Sequence, residues 1–398
     1  MRASLIYRRP IWISLAFLFA FLAAVISYLQ SPQGDYSIVG YPRYNNYLIF
    51  KSSFLHLWQH RDLYLAYPQE HWDYFKYTPT FALFFGIFAL FPDFWGLLLW
   101  DSLNSLLYAL GLLLLPQYSE KEKGLLFYVT SVELFISLQN HQSNALLAAL
   151  FLLSFRFLEN KKDMWAALCM AASFYVKLFG IIFALLFLFY EEKKKKILYL
   201  AGWLLFLGLL PLVVISPAEY GALLGSYYRL LRQDAIAGEL SFVGWLEKVF
   251  GCSFSPLVMA LGAAVLIFIL ALMLRGKAGF GERLAFLCSL LLFSVLFNHK
   301  AESPSYVLAV CGVGLWFFRE SRVPYGVRLF LLLFVIVFTS LGSTDLFPEA
   351  IRQKYLRPWG SKVVPVLLVY LTIVGVLLAS GLRRLKIQFY LPKGRGNP

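Results

Sequence analysis

The sequence predicts an all-α polytopic membrane protein, a bundle of about 12 transmembrane helices. Three observations lead there. Hydrophobic residues make up 60% of the chain and charged residues only 15%, against about 25% charged in an ordinary soluble domain. The mean hydropathy is +0.68, more apolar material than one water-soluble core can hide. Basic clusters recur between apolar runs, which is how cytoplasmic loops are marked.

A helical span needs about 20 apolar residues. Runs bounded by charges, Pro or Gly cover 11–29, 94–115, 125–138, 145–157, 165–176, 178–190, 197–215, 256–274, 284–297, 306–318, 329–341 and 363–382. The shorter ones fit if their ends reach into polar residues that line a protein cavity. Arg2, Arg8 and Arg9 precede the first run. That run is long for a signal peptide and no clear cleavage site follows, so we expect a retained span. Lys and Arg cluster at 2–9, 121–123, 156–162, 193–196, 275–283, 319–328 and 383–395. Placing each cluster inside puts both termini in the cytoplasm and the loops 30–77, 139–144, 217–255, 298–305 and 342–362, with the turn around Lys177, outside. The expected organisation is a single membrane domain over 1–398. Its parts are the first span 11–29, an outer loop 30–93, core spans 94–216, an outer loop 217–255, C-terminal spans 256–382 and a basic tail 383–398.

Within the long first loop, residues 46–60 carry Ile49, Phe50, Phe54, Leu57 and Trp58 at helical spacing. We expect a helix lying along the membrane surface there. Residues 78–91 are apolar but too few for an ordinary crossing, so they read as re-entrant on the outer side.

The net charge of +14 follows from those loop clusters. No basic patch with base-reading chemistry accompanies it, so nucleic acid is not an expected partner. Cys169, Cys252, Cys288 and Cys311 form neither a CxxC pair nor a Cys/His cluster. They read as apolar fillers, neither a zinc site nor a disulfide framework. Walker A, dinucleotide-binding, HExxH and GxSxG patterns are all missing, which argues against nucleotide-driven chemistry.

Ionisable and amide side chains gather instead in the outer loops, where such groups at a membrane are commonly functional. The first loop carries Asp35, Glu70, His71, Asp73 and Lys76. The second reads Gln139-Asn140-His141-Gln142-Ser143-Asn144, and a turn carries Lys177. A late loop reads Asn298-His299-Lys300-Ala301-Glu302-Ser303. Glu133 and Asp101 lie inside runs, and Asp101 and Asn104 share a helix face from which they would bond across helices. Carboxylates can take a proton from an attacking hydroxyl. Lys and His can hold a phosphate, and an apolar groove can hold a lipid tail. Together these suit movement of a sugar from a lipid phosphate to an acceptor hydroxyl. Each also has a plainer reading, as a turn carboxylate, a helix-boundary residue or a snorkelling lysine.

Residues 76–115, KYTPTFALFFGIFALFPDFWGLLLWDSLNSLLYALGLLLL, resemble the Tyr-x-Pro segment and the following Trp/Asn helix of glycosyltransferase family 87. Residues 141–152 (HQSNALLAALFL) resemble its Gln-x-Asn helix start, and 166–179 (AALCMAASFYVKLF) its small-residue helix ending in a Lys turn. Residues 298–307 (NHKAESPSYV) resemble its late His-x-x-Tyr loop. The similarity runs over about residues 11–320, and the order and spacing of these weak motifs carry it.

That resemblance implies a GT-C-like bundle and a membrane enzyme of the kind typified by polyprenyl-phosphate-mannose-dependent α-1,2-mannosyltransferases. By position, Gln142 and Asn144 match the Gln-x-Asn, Lys177 the lysine near the donor phosphate, and His299 and Tyr306 the late loop. At the place of the family's first-loop Asp stands Asn46. Asn cannot act as a base, so the catalytic carboxylate is expected first at Asp35, just past the first span where such enzymes place their base, and otherwise at Asp73. Asn46, Glu70, Lys76, His141, Gln142, Asn144, Lys177, His299, Lys300, Glu302 and Tyr306 are the expected substrate-binding set. No protein metal ligands are assigned, although Gln142 and Asn144 leave room for a divalent cation through a metal-bound water. The expected partners are a polyprenyl-phosphate sugar donor, a lipid or glycan acceptor and membrane lipids. Two other readings stand beside this one: a lipid-linked sugar transporter, and a catalytically inactive relative. A reporter fused after Pro92 is expected to read as external, and a cytoplasmic signal there contradicts the threading.

Overall fold

The computed structural model describes residues 9–32, 40–233, 240–251 and 255–390, with the side chains of 255 and 386–390 set aside. Among the described residues every regular element is helical and none is a strand. Asp35 and Cys252 lie outside the described residues. The other three cysteines are buried and form no disulfide among the described residues.

The helices are α1 (Arg9–Leu29), α2 (Asn45–Trp58), α3 (Pro79–Ala89), α4 (Asp93–Leu113), α5 (Glu120–Gln139), α6 (Asn144–Glu159) and α7 (Asp163–Val176). A 3-10 segment, Leu178–Phe189, precedes α8 (Lys193–Leu209), α9 (Pro217–Gln233), α10 (Phe242–Phe250) and α11 (Ser255–Met273). Then come α12 (Phe280–Leu296), α13 (Tyr306–Arg319), α14 (Tyr325–Phe334) and α15 (Val363–Tyr390). All twelve apolar runs of the sequence are helical. Six helical stretches are long and apolar enough to cross a membrane: Arg9–Leu29, Asp93–Leu113, Lys193–Val213, Pro256–Met273, Tyr325–Ser343 and Val363–Leu385. The protein is thus a polytopic membrane protein. The other six runs, on α5, α6, α7, Leu178–Phe189, α12 and α13, are helical but do not meet both measures.

The chain divides into two compact units. The first holds 9–184, 192–236 and 303–307 of the described residues. In it, α1 packs on α4 and α5, α4 on α6, α6 on α7 and α7 on α8. The reason is visible in α1. It buries Trp12, Ala16, Ala20, Ala23 and Ala24 along one face and exposes Phe17, Leu18, Phe21 and Leu22 on another. Small residues let helix backbones approach, and lipid accepts the large side chains. The Ser105 hydroxyl on α4 donates to the Ala16 carbonyl at 2.7 Å across that contact.

Local signals set the helix starts. Thr78 caps α3 by accepting from the Phe81 amide, with Pro79 in the first turn. Ser119 and Glu122 form a reciprocal capping box on α5. The expected helix in the first loop is present as α2, and its apolar residues pack against α3.

Ion pairs fix which helix ends lie together. Arg9, at the start of α1, grips Glu120 at the start of α5 through two hydrogen bonds. Lys196 on the first turn of α8 pairs with Asp163 on the first turn of α7 at 3.1 Å. Elsewhere in this unit residues 45–50, 72–78, 140–144 and 175–177 come together, through contacts detailed below. In the second unit, α12 and α11 pack on α15. Arg384 of α15 pairs with Glu282 of α12, and Arg328 donates to the Phe317 carbonyl of α13 at 2.6 Å. Arg9, Lys196, Arg328 and Arg384, described members of the basic clusters, thus each sit where helix ends meet within their own unit.

Candidate active site

The polar end of the first unit is built on an aromatic floor. Phe50, Phe81, Phe85 and Phe88 surround Trp100, with ring centroids 5.1–6.0 Å from it and edges turned to faces. Such pairs contribute beyond the area they bury. The Trp100 indole N–H then donates to the His141 carbonyl at 2.8 Å, tying the floor to the turn 140–144 above it.

That turn is a sharp reversal between α5 and α6. His141 takes a left-handed backbone, φ 51°, and its ring N–H donates to the Asp101 carboxylate at 2.9 Å. Asn104, one turn further along α4, accepts from the Leu146 amide at 3.1 Å. Asp101 and Asn104 therefore do bond across helices, as their spacing suggested. Leu146 lies in the first turn of α6, where amides lack intrahelical acceptors.

Lys177 stands where α7 ends, in extended backbone with φ −143°. The Gly180 amide donates to the Lys177 carbonyl at 2.8 Å. A Cβ on Gly180 would come within 2.6 Å of the Ser173 carbonyl oxygen, so only glycine lets the chain fold back this closely. The Thr78 hydroxyl donates to the Tyr175 carbonyl and so locks the start of α3 against the end of α7. Held this way, the Lys177 ammonium donates to Asn144 Oδ1 at 2.8 Å and lies 5.8 Å from the centre of the Tyr77 ring. The Asn144 amide donates in turn to Gln142 Oε1 at 3.0 Å. The Ser143 hydroxyl donates to the Tyr77 hydroxyl at 3.3 Å.

This geometry has clear chemical use. Asn144 begins α6, so the positive end of that helix and a lysine ammonium share one spot. Helix N-termini bind anions through their amides and dipole, and an ammonium adds charge-assisted hydrogen bonds. The spot suits a phosphate.

The first loop abuts the same end. The Asn46 amide donates to the Asn140 carbonyl at 2.8 Å. A carboxylate in its place would face a carbonyl oxygen, so an amide is what this contact calls for. Its neighbour Asn45 donates to the Trp72 carbonyl and accepts from the Trp72 amide, both at 2.8 Å. That clamp sets Asp73 beside the first turn of α2. Asp73 has a left-handed backbone, φ 73°, accepts from the Tyr74 amide at 2.7 Å, and pairs with Lys76 at 3.1 Å while 44% exposed.

Glu70 is engaged otherwise. It accepts from His56 at 2.8 Å and from Arg61 at 3.3 Å, which makes it a strut of the loop. Helix α9 fastens that loop from its own side. Its Tyr227 stacks on Tyr64 at 4.9 Å, and its Ser226 hydroxyl donates to Asp62 at 2.6 Å.

The structure therefore brings Asn46, Gln142, Asn144 and Lys177 to one place, with Asp73 and Lys76 on the clamped loop beside it. His141 is there too, with its ring wholly buried, and Asn144 beside Lys177 is buried as well. Tyr306 is buried within the first unit and lies in electrostatic reach of Glu133 of α5. His299, Lys300 and Glu302 share the turn after α12 in the second unit, where the Lys300 amide donates to Asn298 Oδ1 at 3.0 Å. Tyr77 and the Asn45–Trp72 clamp were not singled out from the sequence. Tyr77 had a signal, standing inside the Tyr-x-Pro segment. The clamp had none. Among the described residues no three His, Cys, Asp or Glu side chains form a metal-holding group.

The sequence model of glycosyltransferase family 87 matches residues 75–298, more than half of the 398-residue chain. The crystal structure of ArnT from Cupriavidus metallidurans bound to undecaprenyl phosphate is similar with a TM-score of 0.39 and 12% identity, over 93% of this chain and 76% of that one. No curated protein matches the chain.

The loop itself is acid-sensitive by construction. Burial holds His56 below the ordinary histidine value of 6.5, with Glu70 opposing. Burial lowers His71 likewise, against its hydrogen bond to the Asp73 backbone. A depressed folded-state value means the unfolded chain takes up protons first as pH falls. The stability from these neutral rings is thus present above about pH 6.5 and is lost as pH drops through their folded values. Limited proteolysis within 59–77, normalised to an unstructured peptide, is expected to run faster at pH 5 than at pH 7.5. Equal rates contradict this assignment.

Proposed function

The chain belongs to glycosyltransferase family 87, and on that premise we propose that it moves a hexose, mannose-like, from a polyprenyl phosphate to a hydroxyl of an envelope lipid or glycan acceptor. The reaction takes place on the outer face of the cytoplasmic membrane. The supporting observation is Lys177 hydrogen-bonded to Asn144 at the start of α6, a ready seat for the donor phosphate.

The chemistry follows from that seat. A first-loop carboxylate takes the proton of the acceptor hydroxyl. The freed oxygen attacks the anomeric carbon as the bond to the phosphate oxygen breaks, with inversion in one displacement. The departing polyprenyl phosphate gathers negative charge, which the Lys177 ammonium and the α6 amides stabilise. Asp73 is the described carboxylate whose position favours the base role, because the Asn45–Trp72 clamp holds it beside Asn46. Asp35 is the alternative base. Gln142 and Asn144 orient the sugar. His299 and Lys300 offer a second pair of phosphate donors on their own turn.

The catalytically inactive reading draws on Asn46, whose amide is spent on the Asn140 carbonyl. Activity of the purified protein separates the two. With labelled polyprenyl-phosphate hexose, wild type is expected to transfer sugar. Lys177→Ala is expected to lose about 10²–10³-fold, the scale of one oxyanion-stabilising donor. Asp73→Asn is expected to lose at least as much, with Asp35→Asn near wild type. Loss at Asp35→Asn alone moves the base to that residue. No transfer by wild type, or undiminished transfer by all three variants, rules the proposal out.

A further inference from the structure

Asp101 and His141 form a polar pair shut away from solvent, with side-chain exposures of 1% and 0%. Asp101 Oδ2 accepts from His141 Nδ1. The other two polar atoms of the pair, Asp101 Oδ1 and His141 Nε2, have no hydrogen-bond partner. Burying such a pair incompletely satisfied is unfavourable, and an apolar pair of similar shape commonly serves stability as well or better. Stability alone is therefore a poor reason for it. What the pair does accomplish is geometric. It pins a histidine in a left-handed backbone at the one bend from which the phosphate seat is hung.

The route from pair to seat is short. His141 is held from two sides, its ring by Asp101 and its carbonyl by the Trp100 indole. The next residue, Gln142, accepts from the Asn144 amide, and Asn144 accepts from Lys177. Asn104 holds the Leu146 amide from the same face of α4. Three residues of one helix, Trp100, Asp101 and Asn104, thus set the entry of another.

We propose that Asp101, acting through His141, is a positioning residue that orients the 140–144 turn so that Asn144 and Lys177 bind the donor phosphate. Neither residue of the pair touches substrate. This deepens the proposed glycosyltransferase reading and rests on it.

The test measures binding of undecaprenyl phosphate, without sugar, to the purified full-length protein, alongside its melting temperature. Asp101→Ala strips the ring of its acceptor and is expected to weaken binding by about tenfold or more, the worth of one hydrogen bond to a charged group. Asp101→Asn keeps an oxygen facing Nδ1–H and is expected to restore binding to within about threefold of wild type. Trp100→Phe keeps the aromatic floor but drops the N–H to the His141 carbonyl. It is expected to weaken binding by several-fold, and it carries the test if Asp101→Ala does not fold. In transfer assays the loss should fall on KM for the donor more than on kcat, which a general loss of stability would not produce. Lys177→Ala serves as the reference. If it weakens binding while Asp101→Ala and Trp100→Phe bind as wild type, the positioning role is overturned and the phosphate seat stands. If Lys177→Ala binds undiminished, the seat itself is wrong and the inference falls with it. Loss in Asp101→Asn equal to that in Asp101→Ala also overturns it, because the acceptor oxygen alone should suffice.

Discussion

The hydrogen bond from the Lys177 ammonium to Asn144, at the first turn of α6, organises the first unit's polar end. A lysine beside a helix N-terminus sets two like potentials side by side, since the amide end of a helix is itself positive. Left alone, the ammonium gains by turning away. Here the fold removes that choice. Gly180 lets the chain after α7 double back against Ser173, Thr78 fixes the Tyr175 carbonyl, and the turn 140–144 is locked from below by α4. The positive potential is preorganised, as the proposed phosphate seat requires.

The lipid solvent explains why so much polarity is crowded into that end. Along the spans every backbone group must be satisfied within the protein, so helices are obligatory and charges are costly. What remains for chemistry is the rim, where helices start and stop. Loop 59–77 shows the result. It is short of regular structure yet strapped by Asn45 to Trp72, by Tyr64 to Tyr227 and by Glu70 to His56 and Arg61. A loop tied down in this way can carry an exposed carboxylate at a fixed place, as Asp73 shows.

Much of this was legible in the chain. Apolar runs marked the helices because lipid-facing and core-facing residues are both apolar, and basic clusters marked which ends group together. The pairs Arg9–Glu120 and Lys196–Asp163 in the first unit, and Arg384–Glu282 in the second, display that grouping in space. Lys177 and Asn144 were legible through the Gln-x-Asn and helix-end Lys motifs. The partners that fix them were not. Asp101 and His141 are 40 residues apart, and Asn45 and Trp72 are 27 apart. Such pairings follow from how helices stack and leave no local period. The spacing of Asp101 and Asn104 announced bonds across helices but not their destination. Glu70 illustrates the reverse case. As a loop carboxylate it had the chemistry of a site residue, and only the structure shows that it also braces the loop through His56 and Arg61.

The proposed seat puts the donor phosphate between Lys177 and the start of α6. The most direct measurement is a structure of the protein with a polyprenyl phosphate bound. Phosphate oxygens are expected within hydrogen-bonding distance, about 2.7–3.2 Å, of the Lys177 Nζ and of the Asn144 and Ala145 amides, the Leu146 amide being held by Asn104. A phosphate bound elsewhere, with Lys177 still on Asn144 and the α6 amides untouched, contradicts the proposed seat.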